Sequence, residues 1–429
     1  MPMMKIKIMR ILYDFFTYLI SPLLLLHIAV RAFEDRNYIR RVSERFGIYT
    51  KDIKGEVIWI HSVSFGEVKA ASPLIRELIK AYPTKQILFT CTTPTGSKLI
   101  NDLFGEGVIN VYLPYDLRGS VNRFFRWANP QIAIIVETEI WPNIFQRCGY
   151  NNIPLVLASA CISDRSLKLY KILFHLFKDT ISQGIVVGAQ TESDAKKFLE
   201  LGAKQERTFI TGNIKFDFSP PESTLQEANH FKLEHFKDRQ VWIGGSTHPG
   251  EEEVILESHK QVLKRYPESL LLIAPRKPER FKTVHKLIID SGLTSSLWSE
   301  FESLDPKINV LLIDTLGDLP FFYSAADMAF VGGSLFSVGG HNLLEPASLG
   351  KPVITGPILH NVEEISSQLL INDGLAIVNN SAELAETIIT LFDDSSKIDT
   401  MVSGAMNVMK DNKGAIENIL QLIKPLIKA

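Results

Sequence analysis

The sequence contains few cysteines, no excess of basic charge and few of the common cofactor signatures. Its 429 residues include only three cysteines, which form neither a CxxC pair nor a cluster with histidine. We therefore expect reduced thiols in a protein that faces the cytosol. The 46 Lys and Arg residues balance 48 Asp and Glu, and the formal charge of −2 gives no indication of a nucleic-acid partner.

Motifs of several enzyme classes are also missing. No GxGxxG follows the first apolar run and no GxxxxGK[ST] occurs, which disfavours a dinucleotide dehydrogenase and a P-loop NTPase. The chain has no DxD pair, no HExxH and no ligand cluster of His and Cys, so the sequence offers no visible support for a metal-dependent transferase.

The N-terminus contains the longest apolar stretch, at residues 11–30, close to the 20 or so residues that cross a bilayer. Asp14 and Pro22 weaken insertion, so a membrane span, an interfacial helix and a buried core helix all remain open. The heavier basic cluster follows the stretch, at Arg31, Arg36, Arg40, Arg41 and Arg45. This bias predicts that residues 1–46 are a membrane anchor with a basic juxtamembrane stretch, and that the rest of the chain is cytoplasmic.

The remaining sequence alternates short β-branched runs with helix-like stretches. One series of runs covers residues 57–64, 86–93, 132–139, 153–160, 184–191 and 209–215, and a second covers 241–247, 269–276, 309–315, 328–334, 352–357 and 375–380. Runs that are apolar at consecutive positions are typical of parallel strands covered on both faces. The sequence therefore predicts an α/β fold with two doubly wound, Rossmann-like domains facing a cleft, 47–215 and 240–429, joined by a linker at 216–239.

Carboxylates follow two of the predicted strands in the first domain. Glu67 opens a helix after the turn SFG, where backbone N–H groups and the helix dipole favour an ionised side chain. It could act as a general base, or it could simply cap its helix. Glu137 and Glu139, in ETEIWPN, lie on one face of an extended segment, and paired carboxylates at a strand end favour a functional site.

Gly-rich turns follow strands in the second domain. The segments GGSTHPGEEE (244–253) and GGSLFSVGGHNLLEPASLGKPV (332–353) pass from strand to helix, a geometry that offers bare N–H groups to a phosphate. APRKPERF (274–281) adds Arg276, Lys277 and Arg280 at another strand end, where a guanidinium could grip a phosphate or carboxylate. Together these turns indicate a nucleotide ligand.

These segments, with GNIKFD and the apolar N-terminus, occur in an order that closely resembles the 3-deoxy-D-manno-octulosonic acid (Kdo) transferases of Gram-negative lipopolysaccharide synthesis. The resemblance covers essentially the whole chain. It implies a GT-B glycosyltransferase, without a metal cofactor, that moves Kdo from CMP-Kdo to the lipid A precursor lipid IVA. It also implies a location at the cytoplasmic face of the inner membrane.

The resemblance further implies roles for individual residues. Glu67 matches the family's proton acceptor, and Glu137 and Lys215 match positions that stabilise the transition state; the adjacent Glu139 is assigned no firm role. The positions that match the CMP site are Pro275, Arg276, Leu316, Gly317, Asp318, Asn342, Leu343, Leu344 and Glu345.

The expected chemistry is a single displacement. CMP leaves without being protonated, and one base removes the proton of the acceptor hydroxyl, so the configuration inverts. Lys69 and Arg76, on the helix of Glu67, could meet an acceptor phosphate or could be solvated surface charges. The alternatives are another GT-B transferase, a nucleotide-sugar epimerase, and a membrane-anchored nucleotide-binding module without catalysis.

Overall fold

The computed structural model describes residues 2–34, 36–172, 174–181, 184–218, 220, 222–303 and 305–427. The chain divides into two compact units. The first unit contains Met1–Asp217 together with Lys413–Ala429, and the second contains Phe218–Asn412.

The first unit is built on a parallel sheet of seven strands within the described residues, in the order β3-β2-β1-β4-β5-β6-β7. The strands are β1 (Val57–His61), β2 (Gln86–Cys91), β3 (Ile109–Tyr112), β4 (Ile132–Val136), β5 (Leu155–Ala160), β6 (Val186–Ala189) and β7 (Thr208–Ile210). The helices are α1 (Pro2–Glu34), α2 (Val42–Arg45), α3 (Phe65–Ala81), α4 (Pro94–Phe104), α5 (Arg118–Ala128), α6 (Pro142–Tyr150), α7 (Asp164–Ile172), α8 (Phe174–Ile181) and α9 (Glu192–Glu200). The strand order reverses between β1 and β4, and such a reversal is where open α/β sheets bind ligands.

The second unit repeats this design, with the strand order β10-β11-β9-β8-β12-β13-β14 in its described part. Its strands are β8 (Val241–Thr247), β9 (Leu270–Pro275), β10 (Ser295–Leu297), β11 (Val310–Leu312), β12 (Met328–Val331), β13 (Val353–Thr355) and β14 (Leu375–Ile377). Its helices are α10 (Glu222–Phe231), α11 (Glu251–Arg265), α12 (Phe281–Asp290), α13 (Leu319–Ala325), α14 (Leu344–Ser348), α15 (Glu363–Ile371), α16 (Ser381–Asp393) and α17 (Ser395–Asn412). All neighbouring strands are parallel, and the order reverses between β8 and β12.

Each sheet is covered on both faces, as the consecutive apolar runs predict. In β1, Val57 and Trp59 belong to one buried cluster, whereas Ile58 and Ile60 belong to another on the opposite face. Successive side chains of a strand point to opposite faces, so an uninterrupted apolar run is needed when both faces are dry. The prediction of two doubly wound sheets is therefore confirmed. Two strands that it omitted, β3 and β10, are short strands at sheet edges.

Helix α1 combines a polar face with an exposed apolar one. Within Lys7–Phe33, the most apolar window of 18 residues has a mean hydropathy of 1.6 and only 6% of it is buried, so the helix is long and apolar enough to cross a membrane. Polar side chains at helical spacing nevertheless bind the first unit. Three hydrogen bonds join Tyr13 Oη to Asp116 (2.8 Å), Asn143 Nδ2 to Asp14 (3.0 Å) and the Gly119 N–H to the Tyr18 hydroxyl (2.9 Å). Arg10 also pairs with Asp179.

The expected linker is partly structured and belongs to the second unit. Helix α10 and a following turn of π-helix, Lys232–Phe236, occupy most of residues 216–239. Ala228 and Phe236 are fully buried against the strands of the second sheet, so their apolar side chains hold this segment on the domain. Pro221 of the expected linker lies outside the described residues.

The end of the chain also departs from the expected boundary, which assigned all of 240–429 to the second domain. The last helix, α18 (Ala415–Ile423), packs on the first unit, where Ala415, Ile419 and Ile423 are buried against the first sheet. Asp217 accepts hydrogen bonds from the N–H groups of Gly414 and Ile416, both at 2.6 Å. The apolar face of α18 thus completes the core of the first unit.

We expect Ile419→Ala to lower the free energy of unfolding of the first unit by about 2 to 4 kcal/mol, because it opens a cavity in a fully buried core. Urea denaturation followed by hydrogen exchange of β1 and β4 amides measures this loss. Gln421→Ala, on the exposed side of the same helix, is the control. Equal stability of the two variants would contradict the packing of α18 on this unit.

Candidate active site

The first unit brings the three predicted catalytic residues together at the carboxyl edge of its sheet. Glu67 lies in the first turn of α3, which follows β1, and Glu137 directly follows β4. Lys215 lies on a short 3₁₀ helix, Ile214–Asp217, which follows β7. Because β1 and β4 flank the point where the strand order reverses, the two glutamates lie where this architecture binds ligands.

Glu67 is a half-buried carboxylate that also caps its own helix. Its Oε2 accepts the Val63 N–H at 2.7 Å, and its Oε1 accepts the Ser64 hydroxyl at 3.0 Å. Ser64 in turn accepts the Glu67 N–H at 3.4 Å, which makes the pair a variant of the capping box. The geometry therefore includes the capping role that the sequence left open, and it also fixes the carboxylate at the sheet edge.

Glu137 is paired with Lys215 at 2.6 Å. Its backbone has a φ of 60°, a conformation that is uncommon for a residue other than glycine, asparagine or aspartate and is concentrated at functional sites. Its N–H continues the sheet by donating to the Ala158 carbonyl at 2.9 Å. The strained turn directs the carboxylate of Glu137 to Lys215.

The electrostatics of this cluster follow from burial and from its crowded carboxylates. Burial, then the neighbouring Glu137, raises the pKa of Glu67, while hydrogen bonds and Lys215 oppose the rise. Burial, then Glu67 and Glu137, raises the pKa of Glu139 to about 7. Burial lowers the pKa of Lys215, but the Glu137 carboxylate outweighs this effect, so the pKa of Lys215 lies above its ordinary value. Lys215 therefore holds its proton and its positive charge more tightly than a free lysine. The carboxyl groups of Glu67 and Glu139, in contrast, hold their protons more tightly than free glutamates.

The other cations proposed for the acceptor are less free than the sequence suggested. The Arg76 guanidinium lies over the Phe104 ring, 5.4 Å from its centroid. In the basic stretch, Arg41 binds both oxygens of Glu44 at 2.8 Å, and Arg45 donates to the Thr92 carbonyl at 2.8 Å. Arg41 and Arg45 therefore contribute to the fold of the first unit rather than to a lipid-facing patch.

In the second unit, the predicted CMP-binding residues follow β9, β11 and β12, of which only β9 and β11 are neighbours in the described sheet. Pro275 ends β9 and Arg276 follows it, the turn 316–318 follows β11, and the segment 342–345 leads into α14 after β12. The sheet is parallel, so these segments lie at its carboxyl edge.

The individual side chains in these segments are fixed locally. Asn342 accepts the Leu344 N–H at 3.1 Å and donates to Glu345 at 3.3 Å. Asp318 accepts a hydrogen bond from Trp298 Nε1 at 3.3 Å. Gly317 has a φ of +104°, and Leu316 is exposed.

Four N–H groups of the Gly-rich turns, which were expected to be bare, are already occupied. Glu251, which is fully buried at the start of α11, occupies them with its own carboxylate. Its oxygens accept the N–H groups of His248 (2.9 Å), Gly333 (2.7 Å), Ser334 (2.9 Å) and Leu335 (3.0 Å). The protein's own carboxylate thus fills this anion site and ties the turn after β12 to the turn after β8.

Arg280 is likewise occupied. Its guanidinium donates to the buried Glu252 carboxylate at 3.0 Å. Arg280 was expected to bind an anion, and this carboxylate of the protein is such a partner. Glu252 also accepts the Thr247 hydroxyl at 3.2 Å.

Two histidines meet where the strand order of the second sheet reverses, a feature that the sequence analysis did not single out. His248 follows β8, His341 follows β12, and their Nε2 atoms are 2.7 Å apart with the rings stacked. Burial, then His248 and Arg276, lowers the pKa of His341 to about 4, so the pair is uncharged near neutral pH. The signal in the sequence was a histidine in each of the two Gly-rich turns, but only the fold brings them together.

No group of three or more His, Cys, Asp or Glu side chains arranged to hold a metal ion is found in the described part of the chain.

Comparison with known proteins assigns a family to both halves of the chain. Residues 40–218 match the family described as 3-deoxy-D-manno-octulosonic-acid transferase (kdotransferase), and residues 238–407 match glycosyl transferases group 1. A 3-deoxy-D-manno-octulosonic acid transferase of Haemophilus influenzae is 37% identical over 423 residues, covering 98% of this chain and 99% of the relative. A probable mitochondrial one of Arabidopsis thaliana is 32% identical, covering 96% and 94%.

Among solved structures, the UDP-GlcNAc 2-epimerase of Neisseria meningitidis bound to UDP-GlcNAc has a TM-score of 0.58 and covers 86% of this chain and 100% of its own. At 16% identity this likeness shows the fold alone.

Each of the two α/β units is built on a sheet of parallel strands, and the second unit matches glycosyl transferases group 1. These features define a glycosyltransferase with a GT-B-like fold. More narrowly, the chain belongs to the 3-deoxy-D-manno-octulosonic acid transferase family.

We expect Glu251→Gln to lower the stability of the second unit by about 3 kcal/mol, because an amide nitrogen cannot accept the N–H groups that the carboxylate now satisfies. Chemical denaturation measures the loss, and faster hydrogen exchange at residues 333–335 locates it. Glu253→Gln, on the exposed side of the same helix, should change neither quantity. Unchanged exchange at 333–335 in Glu251→Gln would contradict this role.

Proposed function

We propose that this Kdo transferase transfers one or more Kdo units from CMP-Kdo to lipid IVA with inversion, and that Glu67 is the general base. The cluster of Glu67 with the Glu137–Lys215 ion pair carries this proposal. Family membership supports the Kdo donor.

In the proposed reaction, Glu67 accepts the proton of an acceptor hydroxyl as that oxygen forms a bond to the anomeric carbon of Kdo. The bond from this carbon to the phosphate oxygen of CMP breaks, and CMP keeps the electron pair. Glu67 needs to be ionised, and the nearby Lys215 favours its charged form. Lys215 is itself held by Glu137 and is suited to stabilise negative charge that develops in the transition state.

We assign the CMP part of the donor to the second unit, at Pro275, Arg276, Leu316, Gly317, Asp318, Asn342, Leu343, Leu344 and Glu345. Arg276 supplies a planar guanidinium for a phosphate or carboxylate. Because Glu251 already fills the backbone N–H groups at 333–335, we expect side chains rather than those amides to hold the charged group of the donor.

We further propose that α1 holds the enzyme on the cytoplasmic face of the inner membrane and lies along the interface. The hydrogen bonds of Tyr13, Asp14 and Tyr18 keep one face of α1 on the first unit. The opposite face exposes large apolar side chains, among them Ile11, Phe15 and Leu19. An apolar face on a docked helix is suited to insertion into the headgroup region.

The direct test is mass spectrometry of lipid IVA after incubation with the purified protein and CMP-Kdo. We expect the acceptor mass to increase by one or more Kdo units, with CMP released only when the acceptor is present. CMP-Kdo should also protect the protein from thermal unfolding better than a UDP-sugar does. Protection by the UDP-sugar alone would favour another GT-B enzyme, and CMP retention without turnover would favour a binding module.

Substitution of Glu67 separates its two roles. Because glutamine can still accept the Val63 N–H, Glu67→Gln should keep the helix cap and lose the base, so we expect kcat to fall about 100- to 10,000-fold with little loss of stability. Glu77→Gln, on the exposed face of the same helix, should retain full activity. Near-normal turnover by Glu67→Gln would leave only the capping role.

The pH dependence tests the cluster through the residual activity of two variants. Activity should fall as the pH drops through the pKa of Glu67, because the protonated acid cannot accept a proton. Lys215→Met removes the cation, which raises the pKa of Glu67 and should move the acidic limb of kcat/KM to higher pH. Glu137→Gln removes the like charge, which should move this limb to lower pH. Shifts in the reverse directions would show that another group titrates.

A further inference from the structure

A small polar cavity lies between α5 and α6 of the first unit. Its volume is about 60 Å³, enough for a phosphate group or a few waters but not for a nucleotide. The polar side chains that line it are Arg118, Asn122, Asn143, Gln146, Arg147 and Tyr150. The proposed reaction does not use this cavity.

The cavity is basic. Two guanidiniums line it, and within the described residues none of its lining side chains is acidic. The Nε of Arg147 is buried without a hydrogen-bond partner, which is costly unless a ligand or water accepts from it. Arg118 is largely exposed and lies 3.7 Å from Asp14 of α1, so it is only partly neutralised.

The buried carboxyl of Asp116, which accepts the N–H of the lining residue Asn143, is already engaged by hydrogen-bond donors. Asp116 accepts hydrogen bonds from Tyr13, from the Asn143 N–H at 2.9 Å and from the Ile144 N–H at 3.0 Å. Burial raises the pKa of Asp116 to about 7, which further reduces its negative charge. An anion that enters the cavity therefore meets a net positive surface.

The cavity adjoins the docked part of α1. Asp14 contacts both Arg118 and Asn143, which line the cavity, and the Tyr18 hydroxyl binds the N–H of Gly119 at the start of α5. On the other side of the helix, Phe15 and Leu19 are each 60% exposed. If that face enters a membrane, the two guanidiniums lie at the level of the lipid headgroups, where basic side chains attract anionic lipids.

We propose that the α5–α6 cavity binds the phosphate group of a membrane lipid, with Arg147 and Arg118 as its cationic partners. The proposal deepens the proposed function, because it rests on the membrane location of α1. The size of the cavity admits the phosphate and leaves the rest of the lipid outside. Arginine suits this ligand because its N–H groups match the geometry of phosphate oxygens.

The test measures binding of the full chain to phosphatidylcholine vesicles with and without phosphatidylglycerol. We expect phosphatidylglycerol to strengthen binding of the wild type, and Arg147→Ala to reduce that gain about fivefold. Asn122→Asp, which puts a negative charge into the cavity without removing a buried guanidinium, should do the same. Arg126→Ala removes an exposed arginine elsewhere on α5 and controls for net charge.

A second arm identifies the lipid. In detergent without phospholipid, a higher KM for lipid IVA in Arg147→Ala and Asn122→Asp, but not in Arg126→Ala, would make the acceptor's own phosphate the ligand. An unchanged KM together with weaker vesicle binding would make it a bilayer phospholipid. If all three variants behave alike in both arms, the proposal is wrong. The vesicle arm needs no turnover, so it remains decisive even if the proposed transfer reaction fails.

Discussion

The ion pair between Lys215 and Glu137 makes the carboxylate cluster of the first unit possible. Burial and the neighbouring carboxylates raise the pKa values of Glu67 and Glu139, and Lys215 opposes this rise at Glu67. The lysine depends in turn on the end of the chain. Its short helix ends at Asp217, which binds the start of α18, and α18 is packed into the core of the same unit. A residue of the proposed chemistry is thus supported by a segment some 200 positions away in the chain.

The two units use a carboxylate at a helix N-terminus in different ways, and burial distinguishes them. Glu251 is fully buried, and its two carboxylate oxygens accept four backbone N–H groups, so the side chain holds two turns together. Glu67 accepts one N–H and one hydroxyl and stays half-exposed, so it can still meet a substrate. The local sequences look alike in kind, a small-residue turn followed by glutamate. Which of the two is available for chemistry depends on what the rest of the fold brings to its oxygens.

Much of the architecture could be predicted from local pattern. Strands such as β4 and β12 are apolar at every position because both faces of their sheet are covered, and this pattern is visible in the sequence. The edge strands β3 and β10 were not predicted, since a short strand with few neighbours needs no long apolar run. The two units divide the chain at other residues than the sequence predicted, because amphipathic helices such as α10 and α18 do not specify which core they cover.

The sequence by itself determined the α/β class, the doubling of the sheet and the presence of Glu67 and Glu137 at strand ends, because strand periodicity and turn residues are local properties. Lys215 was indicated only by the resemblance to the Kdo transferases. Only the tertiary structure decided that Lys215 pairs with Glu137, that Glu251 fills the Gly-rich turns, and that His248 meets His341. Each of these contacts joins segments that follow separate strands, and the contacting residues are 78 to 93 positions apart in the chain. Their formation depends on the order of strands in a sheet, which no local pattern encodes.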